Sequence, residues 1–424
     1  MHVRDHAQSI APVGCGAERK RRTTEMTRRS KPAARRKLLG RGHLGAYLFA
    51  LAAAALVFAV AGCGSSGSNS SSSASTDSGN SGETANASSS SSSCAKEATA
   101  AVEAAEASPT APIPTEAVDA AKLAGKPIWY INEQPNEVDD KQAEAFVEAG
   151  KAAGLEVESV SAQGKLPMVG QEIQQAVTQH AGAIVLLGVD QTAAKSAFEE
   201  AVAAGIPVIT TAPGSEVEGL TRAPIPAYEE FGKIMADQAL ASTNCETKAL
   251  MYSTALYPVI ADLQEATKKE FERLCPECSL EINEVEPEQI AELRTQISTD
   301  LSRAPDTNFI ISAYDALAQS LVPGMQASGK DIPVVSADGD EANIEYVSEG
   351  TQVSDVSREP YEYSGYQQLD VTMRVMAGQK LDQADGSPPG RLISKKVIEE
   401  SPEGEFFPGY KGFQAKFEKA WGVG

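Results

Sequence analysis

At 424 residues, with a formal net charge of -21, the chain is too long for one compact domain and too acidic to seek nucleic acid by charge. The charge is split: residues 1–62 carry twelve Lys and Arg against three Asp and Glu, so they hold +9 and the remainder -30. Beyond residue 62 the only histidine is His180, which excludes a histidine metal centre or a Ser-His-Asp triad from the body.

The basic opening leads into an uncharged, mostly apolar run, residues 44–61, the pattern of an export signal. It ends in "VAGC", and Cys63 is followed by "GSSGSNSSSSASTDSGNSGETANASSSSSS", with sixteen serines in thirty residues. Such a segment has too little apolar surface to order itself, and it predicts a tether over residues 63–93. The "VAGC" stretch resembles the lipobox of bacterial lipoproteins. That likeness implies removal of residues 1–62, lipidation of Cys63 and a membrane-anchored, extracytoplasmic body. Residues 94–125, "CAKEATAAVEAAEAS" and then "PTAPIPT", predict a short helix and an extended proline connector.

Four cysteines remain in the body, Cys94, Cys245, Cys275 and Cys278, and an oxidising compartment makes a bridge their default state. The stretch Cys275-Pro-Glu-Cys278 has redox spacing. It follows a predicted helix instead of opening one, so its thiolate lacks the usual activation. We expect a structural bridge from Cys245 to one of the pair, with the three full pairings left open.

From residue 126 onward, short apolar runs alternate with helical periodicity: "PIWYIN", "LEVESVSA", "AIVLLGV" and "PVITTA", then "ALMYST", "LEINEVE", "FIISAY", "PVVSAD" and "QVSDVS". Strand, helix and strand in repeated order predict an α/β chain with two doubly wound parallel-sheet domains and a cleft between them. The echoes "AAGLEV", "AAGIPV" and "ASGKDIPV" each place a glycine where a helix stops before a strand. No phosphate-binding glycine loop is present. The acidic stretch "DGDEANIEYVSE" lacks the oxygen ligand and glycine of a calcium loop at Ala342 and Asn343. Neither cofactor nor metal is expected.

The stretches "AGAIVLLGVDQTAAKSAFEEAVAAGIPVIT", "FGKIMADQAL", "FIISAYDALAQSLVPGMQASGKDIPVVSADGD" and "YKGFQAKFEKAWG" resemble the type I periplasmic binding proteins, notably the ribose-type sugar-binding lipoproteins of ABC importers. The likeness implies a hinge crossed more than once, giving a first lobe of residues 126–227 with 360–390 and a second of 228–359 with 391–424. It also implies a ligand between the lobes at the strand ends.

Asp338 falls where that family places a carboxylate accepting hydrogen bonds from sugar hydroxyls, and Asp190 falls on its loop aspartate. The chain departs elsewhere: the family's Asp-Arg pair is Ala212-Pro213, an arginine aligns near Glu265, and an asparagine is Tyr314. The remaining strand-end candidates are Glu133, Gln134, Asn136, Thr211, Tyr252, Tyr314, Asp315, Arg358 and Glu359. Carboxylates, amides and tyrosines together suit a hydroxyl-rich or cationic ligand. The resemblance therefore implies no catalysis but capture of a small polar ligand, a sugar foremost, and delivery to an importer permease. Two alternatives are a sensor docking on a membrane receptor and a thiol-redox surface protein.

Overall fold

The computed structural model describes residues 82–132, 137–189, 194–211, 219–401 and 404–424. Helix α1 (Gly82–Glu106) leads the chain. The first lobe follows with β1 (Ile128–Asn132), α2 (Glu137–Ala153), β2 (Val157–Ser161), α3 (Leu166–Thr178), β3 (Ala183–Leu187), α4 (Lys195–Ala203), β4 (Val208–Thr210) and β5 (Leu220–Arg222). The second lobe holds α5 (Tyr228–Ser242), β6 (Lys248–Ser253), α6 (Pro258–Leu274), β7 (Ser279–Glu284), α7 (Leu293–Arg303), β8 (Phe309–Ser312), α8 (Asp315–Ala327), β9 (Val334–Asp338), α9 (Glu341–Glu349) and β10 (Ser354–Ser357). The chain then makes α10 (Tyr361–Met376), β11 (Arg391–Ser394), α11 (Lys395–Glu400) and α12 (Phe413–Trp421).

The first sheet runs β2-β1-β3-β4-β5, all parallel, and the second β11-β10-β9-β8-β6-β7, parallel except where β11 meets β10. Interior strands β1, β3 and β8 are buried along their whole length, as apolar runs covered by helices on both faces must be. Edge strands β2 and β7 mix exposed and half-buried residues. Each sheet has an apolar core on each face, built around Phe146 and Phe198 in the first lobe, and Phe271 and Leu321 in the second. Helix α10 returns to the first lobe and lies so close to α2 that a Cβ on Gly365 would stand 2.4 Å from the Ala145 carbonyl carbon.

Three features differ from expectation. Helix α1 starts at Gly82, inside the predicted tether. Residues 94–106 pack on α5 through Cys94 and Ala98, and once that nucleus exists each added residue costs little, so the helix extends backward into serine. Residues 391–424 do not all join the second lobe. Phe413, Phe417 and Trp421 pack on Tyr363 and Tyr366 in the first lobe, where the Trp421 indole donates to Asp370 at 2.7 Å. Arg374 also pairs with Asp370 at 2.6 Å and donates to the Glu116 carbonyl, so burying this charge fixes both the connector and α12 to the first lobe.

The disulfides differ as well. Cys245 bridges to Cys94, and Cys275 bridges to Cys278. The packing of α1 against α5 brings Cys94 to Cys245, three residues past the helix end, a neighbour that sequence separation conceals. Around that bridge Arg273 pairs with Glu97 at 2.7 Å and with Glu270, while Lys396 pairs with Glu106 at 2.7 Å. Cys63 lies outside the described residues.

Candidate functional site

Besides the connector from α1 to β1 and the return from α11 to α12, the chain passes between lobes at three places: from β5 to α5, from β10 to α10, and from the end of α10 to β11. The parallel strands of both sheets, all but β11, point their carboxyl ends toward these crossings, the place where open parallel sheets bind ligands. Asp338 is the last residue of β9 and adopts φ +124°, a backbone state that non-glycine residues rarely take. The carboxylate of Asp315, fully buried at the start of α8, accepts from the Gly339 and Asp340 amides at 2.9 and 2.7 Å and so fixes the turn that follows. Ser336 Oγ lies within hydrogen-bond distance of Asp315 and, at 2.8 Å, of Asp355, and its single proton serves one of them. Asp315 thus positions Asp338 from beneath, and its burial pushes its own carboxyl well above the usual range.

Tyr228 Oη, from the first turn of α5, donates to Asp338 Oδ1 at 3.2 Å. Burial pushes the Asp338 carboxyl up to about 8, against the opposing pull of Arg358. Arg358 and Glu359 occupy the second crossing. Both are buried, and Arg358 Nη2 donates to Glu359 Oε1 at 2.9 Å and to Ser364 at 3.2 Å. Burial opposes the charge on Arg358, but Glu359 and the tyrosines Tyr361 and Tyr228 outweigh it and hold the guanidinium above its ordinary range. The guanidinium lies 4.8 Å from the centroid of the Tyr361 ring.

Burial keeps the phenols of Tyr228, Tyr314 and Tyr361 neutral, so they remain donors. Four buried polar atoms here have no hydrogen-bond partner among the described residues: Arg358 Nε, Glu359 Oε2, Tyr314 Oη and Tyr361 Oη. Unpaired buried polar atoms are costly, so this concentration makes the place a candidate ligand site. A cavity of about 330 Å³ lies against Asp338, Arg358, Glu359 and Tyr361.

Of the residues expected at the site, Asp338, Arg358 and Glu359 line this cavity, and Tyr314 interacts electrostatically with Asp338 without lining it. Asp315 stands behind it. Thr211 is buried and accepts from the Gly188 amide at 3.1 Å, bracing the turn after β3. Tyr252 is displaced from the expected position: its ring packs in the core beside α7 and its hydroxyl donates to Asp300 at 3.0 Å, because the last paired residues of a strand still face the sheet's two sides. Glu133, Gln134, Asn136 and Asp190 lie outside the described residues. Sequence reasoning missed Tyr228 and Tyr361, and the signal was present: each opens a helix directly after a proline-bearing crossing. Among the described residues no group of three His, Cys, Asp or Glu side chains is arranged to hold a metal, and no helix is long and apolar enough to cross a membrane.

A family model described as a periplasmic binding protein domain matches residues 128–380. No curated protein sequence matches the chain. Among solved structures, a periplasmic ribose ABC transporter protein from Conexibacter woesei is 20% identical with a TM-score of 0.58, covering 67% of this chain and 95% of that one. A sugar ABC transporter protein from Yersinia enterocolitica is 19% identical with a TM-score of 0.60, covering 74% and 100%. A 5-methylthioribose transporter solute-binding protein from Thermotoga lettingae, solved with 5-methylthioribose, is 15% identical with a TM-score of 0.60, covering 69% and 98%. At these identities the likeness is one of fold.

Proposed function

This chain belongs to the periplasmic binding protein family, and from that premise we propose that it captures a small hydroxyl-rich ligand, a sugar or polyol, between its two lobes for an ABC importer. The observation that carries the reading is the ring of donors and acceptors around Asp338: Tyr228, Tyr314, Tyr361 and the Arg358–Glu359 pair. Asp338 and Glu359 would accept from ligand hydroxyls, and Arg358 Nε and the phenols of Tyr314 and Tyr361 would donate to ligand oxygens. That Arg-Glu pair would stand in for the Asp-Arg pair whose place is taken by Ala212-Pro213. The ribose and 5-methylthioribose proteins of the same fold agree with a ligand of this class.

Ligand contacts to both lobes would favour a closed arrangement about the three crossings, and the closed form would dock on the permease. The chain would act as a binder and not as a catalyst. Export and lipidation at Cys63 would hold it on the outer face of the membrane by an acyl anchor. Titration calorimetry of the full chain in detergent against sugars, polyols, nucleosides, amino acids and polyamines tests the reading. A sugar or polyol that binds the parent and is lost in Asp338→Ala supports it; binding confined to amino acids or polyamines overturns the ligand class. Metabolic labelling with a radioactive fatty acid tests the anchor, with label expected on the parent and absent from Cys63→Ser.

A further inference from the structure

The third strip of chain beside the cavity at Asp338 is one that the matched family region, residues 128–380, does not include. On its way from α11 to α12 the chain crosses back to the first lobe, and Phe406 and Phe407 line the cavity together with Ile344 of α9. The rest of the lining includes the polar Asp338, Arg358 and Glu359. We propose that this cavity takes a two-part ligand: a hydroxyl-bearing head held by Asp338 and Arg358–Glu359, and an apolar or aromatic substituent seated on Phe406 and Phe407. The inference rests on the reading of the cleft as a sugar or polyol site and adds the chemistry of the second part.

Three observations support it. The strip that carries the two rings is held in place: Arg391 Nη1 donates to the Phe406 carbonyl, Phe407 packs edge-on against Tyr410 with centroids 5.5 Å apart, and Gly409 presses against the connector, where a Cβ would meet the Pro109 oxygen at 2.1 Å. Phe407 packs partly against the first-lobe core, whereas Phe406 belongs to no apolar core cluster among the described residues, although it is only half-buried. A half-buried phenyl ring on a held strip of backbone at a cavity wall is an apolar seat in place before the ligand, since the backbone needs no ordering when a ligand covers it. The cavity also has room: at about 330 Å³ it falls within the range that accommodates whole small-molecule ligands. A ring placed on Phe406 would gain both area burial and offset or edge-on aromatic contact.

The test is calorimetric titration of the full chain in detergent with methyl glycosides and the phenyl glycosides of the same sugars, together with nucleosides. Covering on the order of 50 Å² of apolar surface corresponds to roughly a tenfold gain in affinity. We expect at least one sugar whose phenyl glycoside binds about tenfold more tightly than its methyl glycoside. Phe406→Ala should abolish that gain while leaving the methyl glycoside within about twofold, which also shows that the variant is folded; Phe407→Leu should reduce it. Methyl glycosides that bind with no phenyl advantage, or an advantage that survives in both variants, overturn the inference and leave the sugar reading intact. Nucleosides that bind where glycosides do not, and lose affinity in Phe406→Ala, overturn the glycoside reading and uphold the aromatic seat. Failure of every probe to bind overturns both.

Discussion

Tyr228 Oη donates to Asp338 Oδ1 across 3.2 Å, joining the first residue of the helix after one crossing to the last residue of β9. The contact ties the candidate ligand carboxylate to the hinge. In Tyr228→Phe the carboxylate loses a donor that favours its charged form, so the Asp338 carboxyl should titrate still higher, and ligand affinity at neutral pH should fall by roughly three- to tenfold. Carbon-detected NMR of the carboxyl and calorimetric titration would measure the two effects.

The pH dependence has a definite sign. The Asp338 carboxyl titrates at about 8 in the folded protein against 3.8 ordinarily, so between those values the folded chain holds a proton that the unfolded chain has released. This group's contribution to stability is therefore full below pH 4 and is lost as pH rises toward 8. Asp338→Asn should remove that slope and raise unfolding free energy near pH 8 by about 1–2 kcal/mol in urea titrations of the ligand-free protein. Affinity for a hydroxyl ligand should rise at least about tenfold from pH 6 to pH 9 in the parent and stay flat in the variant.

Glu359 is the counter-charge of a buried arginine, with Oε1 2.9 Å from Arg358 Nη2. Removing one member of a buried pair leaves the other uncompensated, at a cost of about 3–5 kcal/mol. Glu359→Ala should show that loss in denaturant midpoint and also abolish binding. Glu359→Gln keeps an acceptor toward Ser364 and Arg358 and should lose less.

The two bridges should contribute unequally. Cys94–Cys245 spans 151 residues and Cys275–Cys278 spans three. Loop-closure entropy then favours the first by roughly 3 kcal/mol over the second. Paired serine substitution at Cys94 and Cys245 should lower the unfolding free energy by about 2–4 kcal/mol, with a smaller loss for Cys275 and Cys278. A larger loss from the second pair would contradict the packing of α1 on α5.

Gly365 lets α10 touch the α2 backbone. Gly365→Ala adds a methyl group where the Ala145 carbonyl carbon stands 2.4 Å away, and neither helix backbone can give way cheaply. We expect a loss of about 2–3 kcal/mol by thermal or urea unfolding, despite the higher helix propensity of alanine.

Much of the architecture was legible because a buried parallel strand writes itself as an unbroken apolar run. "IWYIN", "AIVLL", "FIIS" and "VVSAD" are strands β1, β3, β8 and β9. The three-residue β5 and the four-residue antiparallel β11 are too short to carry a period, and neither was foreseen. The aromatic stripe Phe413, Phe417 and Trp421 announces a buried helix face but not the lobe that buries it; the charge at Asp370 and Arg374 decides that. At the site, Asp338 was legible as the end of a strand. Tyr252 and Asp315 were misjudged because a side chain one residue short of the strand end points into a core, and one at a helix start can serve the neighbouring turn. Tyr228 and Phe406 come near Asp338 only through the paths of the crossings, which local pattern does not encode.

The bridge from Cys94 to Cys245 also decides where tension goes. A pull on the chain ahead of Cys94 passes through the two sulfurs to the end of α5 and into the second lobe. That path enters the second lobe at Cys245 without running along residues 95–127. With the bridge cut, the same pull would peel α1 away from α5 and arrive at Glu106, whose carbonyl accepts from Arg391 at the mouth of the third crossing. The sulfur pair is, in mechanical terms, a strain relief for the stretch of α1 between Cys94 and Glu106.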